Sequence, residues 1–327
     1  MSRMPPQHRA ASVLHVGAYL YERGESPGQF LRDLNLPPET LLGSNIWLSR
    51  DAVLEMTQAI ERLTGDPLLG FHIGAEFELR NYGEWTDRVT RSSTLGDALR
   101  LISLFIHQLE TGTRLSLHRN GDRILFRSEL LGSMAADPRH QYDGHFCVLL
   151  KLLQMAAEPV EAILRLPHHS RHLTAVEDLL GVRVIFDCEY AELEFEAGAL
   201  ELPLALSPIP EPQLLDRNEL TCREVFQQIS ATADPERNSV KRIADDLFLN
   251  VRTMQRHLSA WGLSFEEILD GYRKRCALQQ LLDARCSVTD IAHGLGYSDT
   301  AHFTRAFRRW YGVPPRSVRL EASVPAT

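Results

Sequence analysis

Apolar residues recur along this chain in two rhythms, and the C-terminal third keeps only one of them. There, Val288, Ile291, Ala292 and Leu295 fall at helical spacing, and Gly296 ends the run where a positive φ is easily adopted. Ser298 or Asp299 is placed to cap a second helix, whose apolar stripe is Phe303, Ala306, Phe307 and Trp310. The opposite face of that helix carries Thr300, Thr304, Arg305, Arg308 and Arg309. Residues 240–261 repeat the arrangement: Val240, Ile243, Ala244 and Leu247 form one short stripe, Asn250 stands at an N-cap position, and Val251, Met254 and Leu258 form the next stripe. Arg252, Thr253, Gln255, Arg256 and Ser259 are left facing outward. Between the two units, residues 265–284 read as one helix of twenty residues, about 30 Å long by its rise per residue.

The N-terminal two thirds mix helical and alternating patterns. Residues 12–23, 51–64, 93–110, 143–157 and 174–180 have helical spacing, and residues 65–74 read as a glycine-punctuated connection. Residues 114–130 alternate on both sides of Asn120-Gly121, a strong hairpin signal. A strand is expected over 161–166, and two more within 182–198 parted near Glu189-Tyr190. Helices with an antiparallel sheet make this part α+β. Four prolines within 203–212 mark a boundary, and residues 214–233 form a connecting helix that either aids dimerisation or packs on a neighbouring domain. The resulting division is a sensing and dimerisation domain over 1–205, a Pro-rich linker with connecting helix over 206–235, and an all-α domain over 236–327.

One basic amphipathic helix is ordinarily a solvated face of an α-bundle. Two such helices on a rod of this length are different, because successive major grooves on one face of a duplex lie about 34 Å apart. Arg252, Gln255 and Arg256 stand at i, i+3 and i+4 and share a face. Arg suits guanine O6 and N7, and Gln suits adenine N6 and N7, so these residue types read base edges as well as touch phosphate.

Residues 239–319 resemble the DNA-binding domain of AraC/XylS-type transcription regulators. The resemblance is carried by Ile243-Ala244, Leu247, Arg252, Met254-Gln255-Arg256, Leu258, Ser264-Phe265, Arg273, Ala277 and Leu281-Leu282, then Ile291-Ala292, Leu295-Gly296-Tyr297-Ser298-Asp299, His302-Phe303, residues 305–312 and Pro314. It implies two helix-turn-helix units joined by a long helix, with Arg252, Gln255 and Arg256 as base readers in the first unit and Arg305 in the second. The DNA-facing set expected from both helices is Asn250, Arg252, Thr253, Gln255, Arg256, Ser298, Thr300, His302, Thr304, Arg305 and Arg308. Phe248 stands where the family often has Gly, and Val251 where it often has Pro, which leaves the first turn less well defined than the second. Residues 15–205 resemble, more loosely, the arabinose-binding-like N-terminal domain of one AraC subgroup. That implies an effector-sensing domain, with no inference about arabinose itself.

Length and composition agree with two domains: 327 residues exceed one ordinary core, with 44% hydrophobic and 24% charged residues. No apolar run approaches the roughly eighteen residues of a membrane span, and the first ten residues do not read as a signal peptide. Five scattered cysteines without CxxC spacing argue against disulfides or zinc and for a reducing cytoplasm. The net charge of −8 hides an asymmetry: residues 236–327 hold 14 Lys+Arg against 10 Asp+Glu, and the remainder 21 against 33. Only the C-terminal part is basic, which suits DNA there.

His168, His169 and His172 follow Pro167 in a loop and read as a solvated cluster rather than metal ligands. Asp143, His145 and Cys147 lie too close in sequence for a nucleophile triad, and no phosphate-loop, dinucleotide or metalloprotease motif occurs. No catalytic residue, metal or cofactor is expected. The reading is a cytoplasmic transcription regulator, with activator as the expected role and repression left open. Its expected partners are double-stranded promoter DNA, a small-molecule effector of unknown class and unknown pocket, RNA polymerase and a second copy of itself. The rival is an enzyme fused to a DNA-targeting domain.

Overall fold

The computed structural model describes residues 5–43, 45–77, 84–205, 216–231, 238–282 and 286–322. In chain order these form β1 (Gln7–Arg9), α1 (His15–Glu22), α2 (Pro27–Asp33), α3 (Glu39–Leu42), β2 (Trp47–Ser49), α4 (Arg50–Thr64), α5 (Leu69–Glu76), α6 (Glu84–Thr90), α7 (Leu95–Phe105), β3 (Thr113–Asn120), β4 (Arg123–Leu130), α8 (Arg139–Gln154), β5 (Ala162–Arg165), α9 (Leu173–Leu180), β6 (Arg183–Ile185) and β7 (Ala191–Glu196). Helices only follow: α10 (Arg217–Ala231), α11 (Val240–Asp246), α12 (Val251–Ala260), α13 (Phe265–Leu282), α14 (Val288–Gly294), α15 (Thr300–Tyr311) and α16 (Pro315–Ala322). An α+β part followed by an all-α part with two helix-turn-helix units is the fold class expected from the sequence.

Contacts divide the chain into two compact units, Met1–Tyr19 with Ser44–Gln213 and Leu20–Gly43 with Leu214–Thr327. The proline-rich boundary at 206–215 and residues 232–237 lie outside the described residues. In the first unit, a five-stranded sheet of order β3-β4-β7-β5-β6 is mixed, because β6 runs parallel to β5. An all-antiparallel sheet was the expectation; α9 lies between β5 and β6 and returns the chain in the same direction. The hairpin pairs Asn120 with Arg123, so its loop is Gly121-Asp122, with Gly121 at φ 64°. One sheet face carries Ile124, Phe126, Leu164, Leu193 and Phe195 into a core shared with Leu99, Ile102, Phe146 and Leu149 of the helices. Across the central strands Glu194 takes both Arg123 (3.1 Å) and Arg165 (2.7 Å).

Residues 65–74 are not merely a connection, since α5 occupies Leu69–Glu76. The glycines mislead because they serve packing: a Cβ at Gly70 would stand 2.5 Å from the His140 carbonyl oxygen, and one at Gly74 would stand 2.8 Å from Cys147 Cβ. Helix α5 thereby presses its backbone onto α8. Strands β1 and β2, three residues each, were too short to show a period.

In the second unit α10 buries Cys222, Val225, Phe226 and Ile229 and packs on α12 and α13, the packing alternative of its sequence reading. The segment with α2 and α3 joins this unit as well. The Gly28 amide donates to the Trp261 carbonyl (2.8 Å), and Arg32 donates to the Gly262 carbonyl (2.9 Å) and pairs with Glu267 (3.0 Å). Glu39, 2% exposed, lies against Gly271 of α13, and its Oε2 has no hydrogen-bond partner among the described residues. Burial pushes its carboxyl up, against the opposing pull of a backbone hydrogen bond and of Arg275 and Lys274. A folded pKa raised above the unfolded one, about 4.3, means stability is fully present below that pH and is lost as pH rises through the folded pKa. Glu39→Gln should therefore gain on the parent as pH is raised from about 4 to about 7. Denaturant melts across that range check it, and parallel pH profiles for the two proteins would refute it.

Candidate nucleic-acid interface

The first helix-turn-helix unit is α11 and α12. Ser239 caps α11, and Ile243 and Ala244 of α11 are buried, as are Met254 and Leu258 of α12. The turn between them passes through Phe248 at φ 56°, the αL position where glycine is normal, and its ring is 97% exposed. L-residues pay roughly 1–2 kcal/mol there, part of which glycine returns through its freer unfolded chain. Phe248→Gly, which sacrifices no burial, should raise stability by about 1 kcal/mol, or roughly 2–4 °C in Tm. A melt that shows no increase would mean the Phe248 ring is held by contacts of its own.

Helix α12 begins at Asn250, whose Oδ1 accepts from the Thr253 amide (2.8 Å). This satisfies one of the free amides of the helix start and fixes the direction in which the helix leaves the turn. With Met254, His257 and Leu258 buried, Asn250, Arg252, Gln255, Arg256 and Ser259 stand exposed and Thr253 half-exposed. His257 is 5% exposed and its Nδ1 lies 2.9 Å from Thr221 Oγ1 of α10, so it holds α12 to its own unit and does not face outward.

The second unit is α14 and α15. A reciprocal capping box opens α14: Ser287 Oγ accepts from the Asp290 amide (3.1 Å), and the Ser287 amide donates to Asp290 Oδ2 (3.2 Å). Gly296, at φ 81°, makes the turn without strain. Asp299 caps α15 by accepting from the His302 amide (2.7 Å). Phe303 and Phe307 are fully buried with Ile291, Ala292 and Leu295, and with Ala277 and Leu281 of α13. Ser298, His302, Arg305 and Arg308 are exposed, and Thr300 and Thr304 half-exposed. Four of these have local engagements: Ser298 Oγ lies 3.1 Å from His302 Nδ1, and the Thr304 hydroxyl donates to the Thr300 carbonyl (2.7 Å).

Helix α13 spans Phe265–Leu282, about 27 Å by rise per residue. It carries the core contacts of α14 and α15 at one end and buries Phe265 and Ile268 beside the buried Trp261 and Leu263 at the other. Sequence reading overlooked Asp270 on this rod. Its Oδ2 accepts from Arg309 (2.7 Å) and from Trp310 Nε1 (2.8 Å), while the Tyr311 hydroxyl donates to the Lys274 carbonyl (3.0 Å). Arg309 thus ties α15 to α13, whereas Arg305 and Arg308 point away. A partner nearly forty positions distant leaves no periodic trace in sequence.

Two apolar-backed helices, each offering an exposed Arg-containing face, one packed on α13 and the other held by α10, which itself packs on α13, form a surface suited to groove contacts. The family model described as the arabinose-binding domain of AraC transcription regulators, N-terminal, matches residues 24–204, and a helix-turn-helix domain model matches 243–321. The chain belongs to the AraC family. It is a DNA-binding transcription regulator. The ornithine utilization regulator of Pseudomonas aeruginosa is 26% identical over 306 residues, which cover 86% of this chain and 87% of that protein. RhaS, a transcriptional activator of Escherichia coli, is 38% identical over 207 residues, covering 62% and 67%. VirS of Mycobacterium tuberculosis is 22% identical over 97% of both chains. The crystal structure of the regulator CdpR from Pseudomonas aeruginosa covers 90% of this chain and 96% of its own at 22% identity, with a TM-score of 0.42.

The other clusters weighed in the sequence resolve differently. His168 is not a solvated loop residue: its Nε2 lies 2.7 Å from Oδ1 of the buried Asp143. Cys147 is buried, and burial together with the nearby Asp143 pushes its thiol up to about 12, which removes its nucleophilic form. No metal-binding group of His, Cys, Asp and Glu occurs among the described residues, nor any helix long and apolar enough to cross a membrane.

Proposed function

We propose that α12 and α15 enter successive major grooves of an operator, with Arg252, Gln255, Arg256 and Arg305 reading base edges. Asn250, Thr253, Ser298, Thr300, His302, Thr304 and Arg308 hold the phosphates at either side. The observation that carries this reading is the exposure of Arg252, Gln255, Arg256 and Arg305 on two helices whose opposite faces bury Met254, Leu258, Phe303 and Phe307. Phosphate contacts from Arg supply salt-dependent affinity, and bidentate base contacts supply discrimination. The reading of an enzyme with a DNA-targeting domain has no support from these relatives, which are transcription regulators.

The labour divides at the proline-rich boundary: 1–205, apart from the residues 20–43 that fold with the C-terminal unit, senses a small molecule, 206–235 connects, and 236–327 binds DNA. The protein acts in the cytoplasm as a homodimer, and recruits RNA polymerase as an activator. Support for sensing comes from the match of 24–204 to a domain described as arabinose-binding and from a relative named for ornithine utilization. Effector binding shifts the population of dimers whose DNA-binding units are placed for the operator. Mobility shifts on DNA from upstream of the gene, titrated from about 50 to 200 mM salt beside a random duplex, test the DNA reading. A steep salt dependence on both duplexes with clear preference for the first is expected; no preference would overturn it.

A further inference from the structure

In the first unit a cavity of about 70 Å³ lies between α4, α5 and α8. At about 10–15 Å³ per water-sized sphere, it holds roughly five non-hydrogen atoms. Val13, Val16, Leu54, Ile73 and Val148 give it an apolar wall, and one end is lined by His8, Glu110, His140, Gln141 and His145. That end is buried and tightly bonded. His145 Nε2 lies 2.8 Å from Glu110 Oε2, His8 Nδ1 lies 3.4 Å from Oε1, and Thr113 Oγ1 donates to Oε2 at 3.0 Å. Gln141 Nε2 donates to Glu110 (3.1 Å) and lies 3.1 Å from His8 Nε2, which fixes the orientation of its amide. Gln141 Oε1 then has no hydrogen-bond partner among the described residues, although the residue is only 9% exposed.

A buried acceptor without a donor is destabilising, and a cavity beside it is where a donor can be supplied. Burial alone would raise the Glu110 carboxyl, but His145, by charge and hydrogen bond, and His8, by its Nδ1 hydrogen bond, hold it well below the usual carboxylate range. An ionised carboxylate has no proton to give Gln141 Oε1, so an acidic head would set acceptor against acceptor in a poorly solvated place.

We infer that this cavity is the effector site, and that it takes a small molecule with a short apolar body and a hydrogen-bond-donating head, amine or hydroxyl, without an acidic group. The head donates to Gln141 Oε1 and the body fills the space against Ile73 and Val148. The inference rests on the sensing role proposed above for residues 1–205.

Three probes of matched length test it on the full chain: n-butylamine, 1-butanol and butyrate, followed by saturation-transfer NMR at pH 7. Binding by either donor-headed probe and at least tenfold weaker binding by butyrate is the expected result. Ile73→Phe, which fills the cavity and leaves the polar end intact, should abolish it. Gln141→Leu should weaken it at least tenfold, with thermal melts confirming that each variant folds. Butyrate binding as well as the amine and the alcohol, or binding that survives Ile73→Phe, would overturn the assignment. Mobility shifts with the same probes separate the two layers. A probe that fills the cavity without changing DNA affinity removes the sensing role and leaves the site. A metabolite that changes DNA affinity in Ile73→Phe as in the parent keeps the sensing role and removes this site.

Discussion

An Arg256→Ala, Arg305→Ala double variant is expected to lose most of its preference for the operator while keeping its fold. Both side chains are exposed, so their truncation leaves the cores of the two helix-turn-helix units untouched. Each bidentate pair with a base contributes about 1–3 kcal/mol of discrimination. The two residues sit on different helices joined through α13, so their effects should add. The sum, about 2–6 kcal/mol, corresponds to roughly a 30- to 20,000-fold loss on the operator. On random DNA the loss should be far smaller, because only the counterion term of two phosphate-reaching cations is affected there. Competition mobility shifts at one fixed salt concentration measure both. Equal weakening on operator and random duplex would reduce both arginines to phosphate contacts.

Phe307→Ala should act by a different route. The ring is fully buried and lies 4.7 Å from Tyr311, 5.8 Å from Phe303 and 6.4 Å from Trp310 between centroids. It shares its cluster with Ala277 and Leu281, so it is also the seat of α15 on α13. Truncating a buried Phe costs about 3–5 kcal/mol through lost transfer energy and the cavity left behind. The second unit should then melt early and operator binding should fall with it, even though no DNA-facing residue has changed. Calorimetry should show a lowered transition with DNA binding rescued on cooling. A Tm within about 1 °C of the parent would contradict the placement of this ring at the centre of the cluster.

The C-terminal unit was legible because its folding is local. Four caps, Ser239, Asn250, Ser287 and Asp299, lie within one turn of the amides they satisfy, and the apolar stripes repeat at 3.6 residues. Gly296 and Phe248 both adopt the positive φ that their place in the turn demands, one at ease and the other under strain. The first unit was harder. Its glycines at 70 and 74 look like breaks in sequence but sit inside α5, because a glycine that lets two helices touch and a glycine that ends a helix are the same residue. The parallel pairing of β6 with β5 leaves no mark either, since both directions show the same short alternation.

The sequence by itself determined the two recognition helices, the rod between them, the basic face of each and hence the partner, DNA. These depend on residues within a few turns of one another. The tertiary structure decided what depends on distant residues meeting: that Arg309 is tied to Asp270, that His257 turns inward to Thr221, and that residues 20–43 fold with the C-terminal unit through Gly28 and Arg32. It also decided the cavity end, where His8, Glu110 and Gln141 converge from three separate stretches of chain and leave one buried acceptor waiting for a donor. Periodicity reports which face of an element is buried. Only the packed molecule reports which of those faces fails to close.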